Sequence, residues 1–149
     1  MKKKVLFVLC TMVISFIGAF FLETNKASAN DPWKYFHTQD GKWDGTITTT
    51  RTNHQVFIQV DRDRLYYKPS SSAGAGQASY HNIAARLCSV STGRCTEYSG
   101  FYLRGSVYNP RNVFSNMIPG TYRIDIRDYY NPGFVYGYVD YGTASGGMW

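Results

Sequence analysis

Cys88 and Cys95 flank Ser91-Thr92-Gly93, a hairpin turn signal. No C-x-x-C spacing joins them, so a redox dithiol is not indicated. In an exported chain an even pair reads as a structural disulfide. Strands on either side of a two- or four-residue loop put Cys88 directly across from Cys95, within bridging distance. The three histidines, His37, His54 and His81, have no second His or Cys at a metal-ligand spacing. There is no H-E-x-x-H, no G-x-S-x-G and no phosphate-binding glycine loop. Each His sits near a turn, where a solvated imidazole is the plain reading. Glu97 is the only glutamate after residue 29, so a paired-carboxylate glycosidase would have to use aspartates. Asp61-Arg62-Asp63-Arg64 carries its own counter-charges, and its arginines oppose a calcium site. No metal, no cofactor and no catalytic constellation is therefore expected.

Tyrosine is the unusual quantity. All 13 lie after residue 29, together with the three Trp and five of the nine Phe. In Tyr66-Tyr67 and Tyr129-Tyr130 one ring of each pair must point away from a core, because strand side chains alternate. Tyr and Trp join an apolar body to a polar tip, which suits sugars, peptides and partner surfaces. The candidate binding residues are Tyr66, Tyr67, Tyr129, Tyr136 and Tyr138, with Asp125 and Asp140 beside them. The competing reading is that tyrosines fill a small sandwich and cap its edges. The row Thr46, Thr48, Thr50, Thr52 lies on one strand face; a single row of exposed Thr is ordinary β-propensity rather than an ice-binding array.

The elements that must position these residues read as strands. Thr121–Asp128 alternates, with Tyr122, Ile124 and Ile126 on one face and Arg123, Asp125 and Arg127 on the other. Asn131-Pro132-Gly133 is turn chemistry, and Phe134–Val139 returns as a second strand. A hairpin is expected. A tight turn sets Asp125 opposite Asp140, two like charges; a wider loop sets Arg127 opposite Asp140 and is favoured. With the tight turn, Asp125 and Asp140 could hold a cation or a ligand hydroxyl beside Tyr136 and Tyr138. Asp40-Gly41 signals another hairpin, within Asp31–Gly45. Val56, Ile58 and Val60 mark an inward face, Leu65-Tyr66-Tyr67 a short strand, and Pro69–Gly76 a mobile loop. Asn109-Pro110 suits a helix start, so one or two helical turns are expected over Arg111–Met117.

The chain opens with three lysines, runs uncharged from Val5 to Leu22, and reaches Ala27-Ser28-Ala29. This is the layout of a secretory signal peptide over residues 1–29; the small-residue site argues against a retained anchor. Cys10 lies too deep in the apolar run to be a lipid-attachment site. Four of the 16 Lys/Arg and one of the 10 Asp/Glu precede Asn30, so the remainder carries +3 rather than +6. Interspersed signs at that level are not the clustered footprint of a nucleic-acid binder. Residues 30–149 are the size of one domain.

About seven to eight short strands, Gly/Pro turns and at most one short helix point to an all-β protein, a small antiparallel β-sandwich with one disulfide hairpin. The run Ile118-Pro119-Gly120-Thr121-Tyr122 resembles the late strand of immunoglobulin-like and pre-peptidase-like sandwiches. That resemblance implies a tyrosine that locks the corner, and it implies no activity. Two functions compete. One is a secreted, non-enzymatic binding module for a carbohydrate or cell-wall polymer, extracellular or wall-associated, monomeric, without nucleic acid and without stable membrane insertion. The other is a small secreted antibacterial or toxin-like effector or inhibitor.

Overall fold

The alternation along the chain maps onto two layers with a shared core. The computed structural model describes residues 32–105 and 107–146; the expected signal peptide lies outside the described residues. The strands are β1 (Lys34–His37), β2 (Gly45–Thr49), β3 (Gln55–Val60), β4 (Tyr66–Lys68), β5 (Gly76–Gln77), β6 (Ile83–Ser89), β7 (Ser99–Gly100), β8 (Arg111–Phe114), β9 (Gly120–Asp128) and β10 (Phe134–Ala144). One 3-10 turn, Tyr80–Asn82, precedes β6.

Two antiparallel sheets form a β-sandwich. The first is built on β10. Its Tyr136 pairs with His37 of β1 on one side and with Tyr66 of β4 on the other. Its Val139 likewise pairs with Lys34 of β1 and with Val60 of β3. So β3 and β4 are one strand line along β10, interrupted around Asp61–Leu65. The second sheet runs β2-β9-β6-β7. Phe36, Val56, Ile58, Val60, Val135 and Val139 face Ile47, Ile83, Leu87, Ile124 and Ile126 in one buried cluster.

The pairing is nested. β6 pairs with β7, β3 with β8, β2 with β9 and β1 with β10. The domain is thus one long hairpin rolled into two sheets, which is jelly-roll connectivity; immunoglobulin sandwiches divide their strands differently. At the hairpin's tip Cys88 is bonded to Cys95, with Cα atoms 4.0 Å apart. Tyr122 locks its corner as expected: its hydroxyl donates to the Ile118 carbonyl at 2.8 Å.

Three local expectations are corrected. First, Thr121–Asp128 and Phe134–Val139 are not a hairpin: β9 lies in one sheet and β10 in the other. Both expected registers fall with it, since Asp125 faces Arg86 and Asp140 faces Gln59. Alternation gives each strand one apolar face, and an arch over the core satisfies it as well as a hairpin does. The arch is held where Asp128 Oδ1 accepts from the Tyr130 amide at 2.9 Å and Tyr130 packs against the core. Second, Asp40-Gly41 joins β1 to β2 across the sandwich; β1 pairs with β10 instead. Third, Arg111–Phe114 is a strand, not a helix. Asn112 and Phe114 are buried at period two, and Asn109 Oδ1 accepts from Arg62 N–H instead of capping a helix.

Candidate functional site

The outer face of the β10 sheet is aromatic. β10 turns Val135, Gly137 and Val139 inward, so Phe134, Tyr136, Tyr138 and Asp140 point out. Register then decides their neighbours. β1 sets Tyr35 beside Tyr138 and His37 beside Tyr136; β4 sets Tyr66 against Tyr136. Tyr66 and Tyr136 stack with centroids 5.6 Å apart. Tyr35 lies 6.0 Å from Tyr138 and 6.3 Å from Tyr136. His37 stacks on Phe134 at 4.3 Å, and Phe134 reaches Tyr136 at 6.2 Å. Six rings therefore form one continuous surface across three strands.

A cation completes it. The Arg64 guanidinium lies 4.3 Å from the centre of the Tyr138 ring and 5.9 Å from Trp33, with Nε donating to Asp61 at 2.6 Å. Gly137 lets the Arg64–Leu65 backbone pass close against β10: a Cβ there would meet the Arg64 carbonyl oxygen at 2.5 Å. Burial pushes the Tyr35 phenol above its usual range, and Tyr136, Asp40 and Tyr138 add to the shift. The phenol stays protonated at neutral pH and can donate to a ligand oxygen. The face offers apolar ring surface, hydroxyl tips and one guanidinium.

Of the residues singled out in the sequence, Tyr66, Tyr136 and Tyr138 meet on this face, and Asp140 follows Tyr138 along it. Tyr67 points the other way: it stacks on Tyr130 at 4.2 Å and donates to the Pro132 carbonyl at 2.6 Å. Asp125 and Tyr129 belong to the other sheet's side of the molecule. Asp125 accepts from Arg86 and from Tyr98, each at 2.7 Å, and Tyr129 accepts from Arg127 at 3.1 Å. The Asp125–Asp140 site is therefore not formed. Trp33, Tyr35, His37, Arg64 and Phe134 were missed. The alternation of Tyr35 and His37 around buried Phe36 was the available signal. His81 lies on Tyr80 with centroids 4.1 Å apart. Among the described residues no helix is long and apolar enough to cross a membrane. Comparison with protein-family models, with curated proteins and with solved structures found no match to this chain.

Proposed function

We propose that this chain is an exported, non-enzymatic binding module whose aromatic face on the β10 sheet holds a glycan of a cell envelope. One observation carries the reading: the continuous surface of Tyr35, Tyr138, Tyr136, Tyr66, Phe134 and His37 on the side of the sheet turned away from the core. Cross-strand ring pairs stabilise a sheet by only about 0.2–1 kcal/mol each. Leaving so many half-exposed rings together is the mark of an interaction surface. Tyr side chains lose little rotamer freedom on binding, and their hydroxyls exchange hydrogen bonds with sugar hydroxyls. The signal-peptide layout and the Cys88–Cys95 bridge suit an oxidising, extracellular setting.

The test is retention on purified cell walls, with and without competing sugars. Wild-type protein is expected to be retained and to be displaced by sugar. Tyr136→Ala is expected to weaken retention by tenfold or more. Tyr102→Ala, exposed and bridged to Arg111 at the far edge of this sheet, beyond β8 and outside the ring surface, is expected to leave it unchanged. Absence of retention together with growth inhibition of neighbouring bacteria would overturn the reading in favour of a secreted effector.

A further inference from the structure

The outer face of the other sheet is cationic. β9 alternates so that Arg123, Asp125 and Arg127 point out, and β6 sets Arg86 opposite Asp125. The Asp125 carboxylate is occupied: Arg86 Nε and the Tyr98 hydroxyl both donate to it at 2.7 Å. Arg123 and Arg127 have no carboxylate partner among the described residues, whose ion pairs are Arg64–Asp61 and Arg86–Asp125. Aromatic rings hold them instead. Arg123 lies over Trp43 at 5.4 Å. Arg127 lies over Tyr98 at 3.8 Å and Tyr129 at 4.9 Å. A guanidinium held over a ring keeps most of its N–H groups: Arg127 spends one on the Tyr129 hydroxyl at 3.1 Å, and the others, with those of Arg123, can donate to an anion. Four strand positions separate the two arginines by about 13 Å. Beside Asp125 a shallow cavity of about 210 Å³ is lined by Thr38, Lys42, Trp43 and Ile126.

We propose that this face binds a linear acidic polysaccharide, with carboxylate or phosphate groups of the polymer on Arg123 and Arg127. The site is separate from the aromatic face and does not depend on it. Charge favours a polyanion: three arginines against one aspartate on the face, with Arg123 and Arg127 pre-positioned by rings and without a carboxylate partner among the described residues. A sugar polymer fits better than a nucleic acid for two reasons. A guanidinium sits over each ring, so stacking a base there would compete with Arg123 or Arg127. The row is also interrupted by Asp125, unlike the positive groove that tracks a nucleic-acid backbone.

Affinity electrophoresis in gels containing polygalacturonate, a phosphate-bearing mannan or neutral dextran tests this. Wild-type protein is expected to be retarded by at least one acidic polymer and not by dextran, with weaker retardation as salt rises. Arg123→Gln and Arg127→Gln are each expected to weaken binding about tenfold, the scale of one charge-assisted hydrogen bond. Unchanged thermal unfolding shows that the variants fold. Asp125→Asn, which keeps an acceptor for Arg86 and Tyr98, is expected to tighten binding at low salt. Tyr136→Ala, on the opposite sheet, is expected to leave it unchanged and so separates failure here from failure of the aromatic face. No retardation by either acidic polymer, equal retardation of the double arginine variant, or tighter binding to single-stranded DNA would overturn the proposal.

Discussion

Asp44 is the residue whose chemistry departs furthest from its sequence setting. The alternation of Trp43, Gly45, Ile47 and Thr49 leaves Asp44 with the exposed threonines. It is instead drawn in beyond the end of β2, where its Oδ2 accepts from the Ile126 amide at 2.7 Å and its own amide donates to the Ile124 carbonyl at 2.9 Å. A side chain thus extends a ladder that the β2 backbone no longer serves. Burial pushes its pKa up to about 7, against the opposing effect of the Ile126 amide; Asp125 and Asp40 push it further up. The sign follows from linkage. Between pH 4 and 7 the folded state keeps a proton that the unfolded chain has lost, so stability falls as pH rises through this window. The cost of ionising the buried group is at most about 4 kcal/mol. Asp44→Asn keeps an acceptor for Ile126 and cannot ionise. It is expected to match wild type near pH 4 and to exceed it increasingly up to pH 8 in urea unfolding. A constant difference across that range would mean that Asp44 does not titrate in the folded state. Side-chain parity was the part of the candidate site legible from sequence. It put Tyr136 and Tyr138 on one face, but it could not say which of Tyr66 and Tyr67 points inward, because that depends on the partner strand.

At the scale of elements, strands were legible and their partners were not. Period-two burial in β3, β9 and β10 follows the sequence pattern closely. Turn residues such as Pro132-Gly133 or Asp40-Gly41 reverse a chain equally well within a sheet or between sheets. Reading the second as a hairpin tied Tyr35 and His37 to β2 and hid their place beside β10. The Asn109-Pro110 pair misled for a related reason: the amide-capping residue found a loop amide at Arg62, and period-two burial at Asn112 and Phe114 won over cap chemistry. Inside the core, Asn112 Nδ2 donates to the Ser99 carbonyl at 2.5 Å and so joins the two sheets. The disulfide hairpin was read correctly because spacing and turn agree on one register. Beyond the bridge the register shifts by a residue: Cys88 faces Cys95, but Ala85 faces Ser99. The Thr96 hydroxyl accepts from the Leu87 amide at 3.1 Å where this irregularity breaks the ladder. Closing so short a loop stabilises by about 2.5 kcal/mol in the chain-entropy model. Cys88→Ser is therefore expected to fold, with a lowered urea midpoint. Reductant is expected to lower the wild-type midpoint to a similar extent. Identical wild-type midpoints with and without reductant would mean that the bridge does not stabilise the tip.

At the scale of the whole molecule, nesting predicts an order of assembly. Each strand pair away from the disulfide closes a longer stretch of chain, from a sequence separation of seven at Cys88–Cys95 to roughly a hundred at Phe36 and Gly137. Forming the outermost pair directly costs about 2.4 kcal/mol more in loop-closure entropy than forming the tip. Once inner pairs exist, the next loop out is short, so assembly runs from the tip toward the ends. The core samples both regions. Leu87 in β6 and Phe36 in β1 are both fully buried, and truncating either costs several kcal/mol of stability. The kinetic signatures differ. Leu87→Ala, beside the tip and paired with Ile124, is expected to slow folding, with a φ-value above about 0.5. Phe36→Ala is expected to leave the folding rate nearly unchanged and to speed unfolding about a hundredfold, since a loss of about 3 kcal/mol falls almost wholly on the unfolding limb. Stopped-flow chevrons with the disulfide intact measure both. If Phe36→Ala slowed folding more than Leu87→Ala, the ends of the chain would be meeting before the middle. The aromatic face would then assemble early, because Tyr35 and His37 reach Tyr136 and Tyr138 only through the β1–β10 pair.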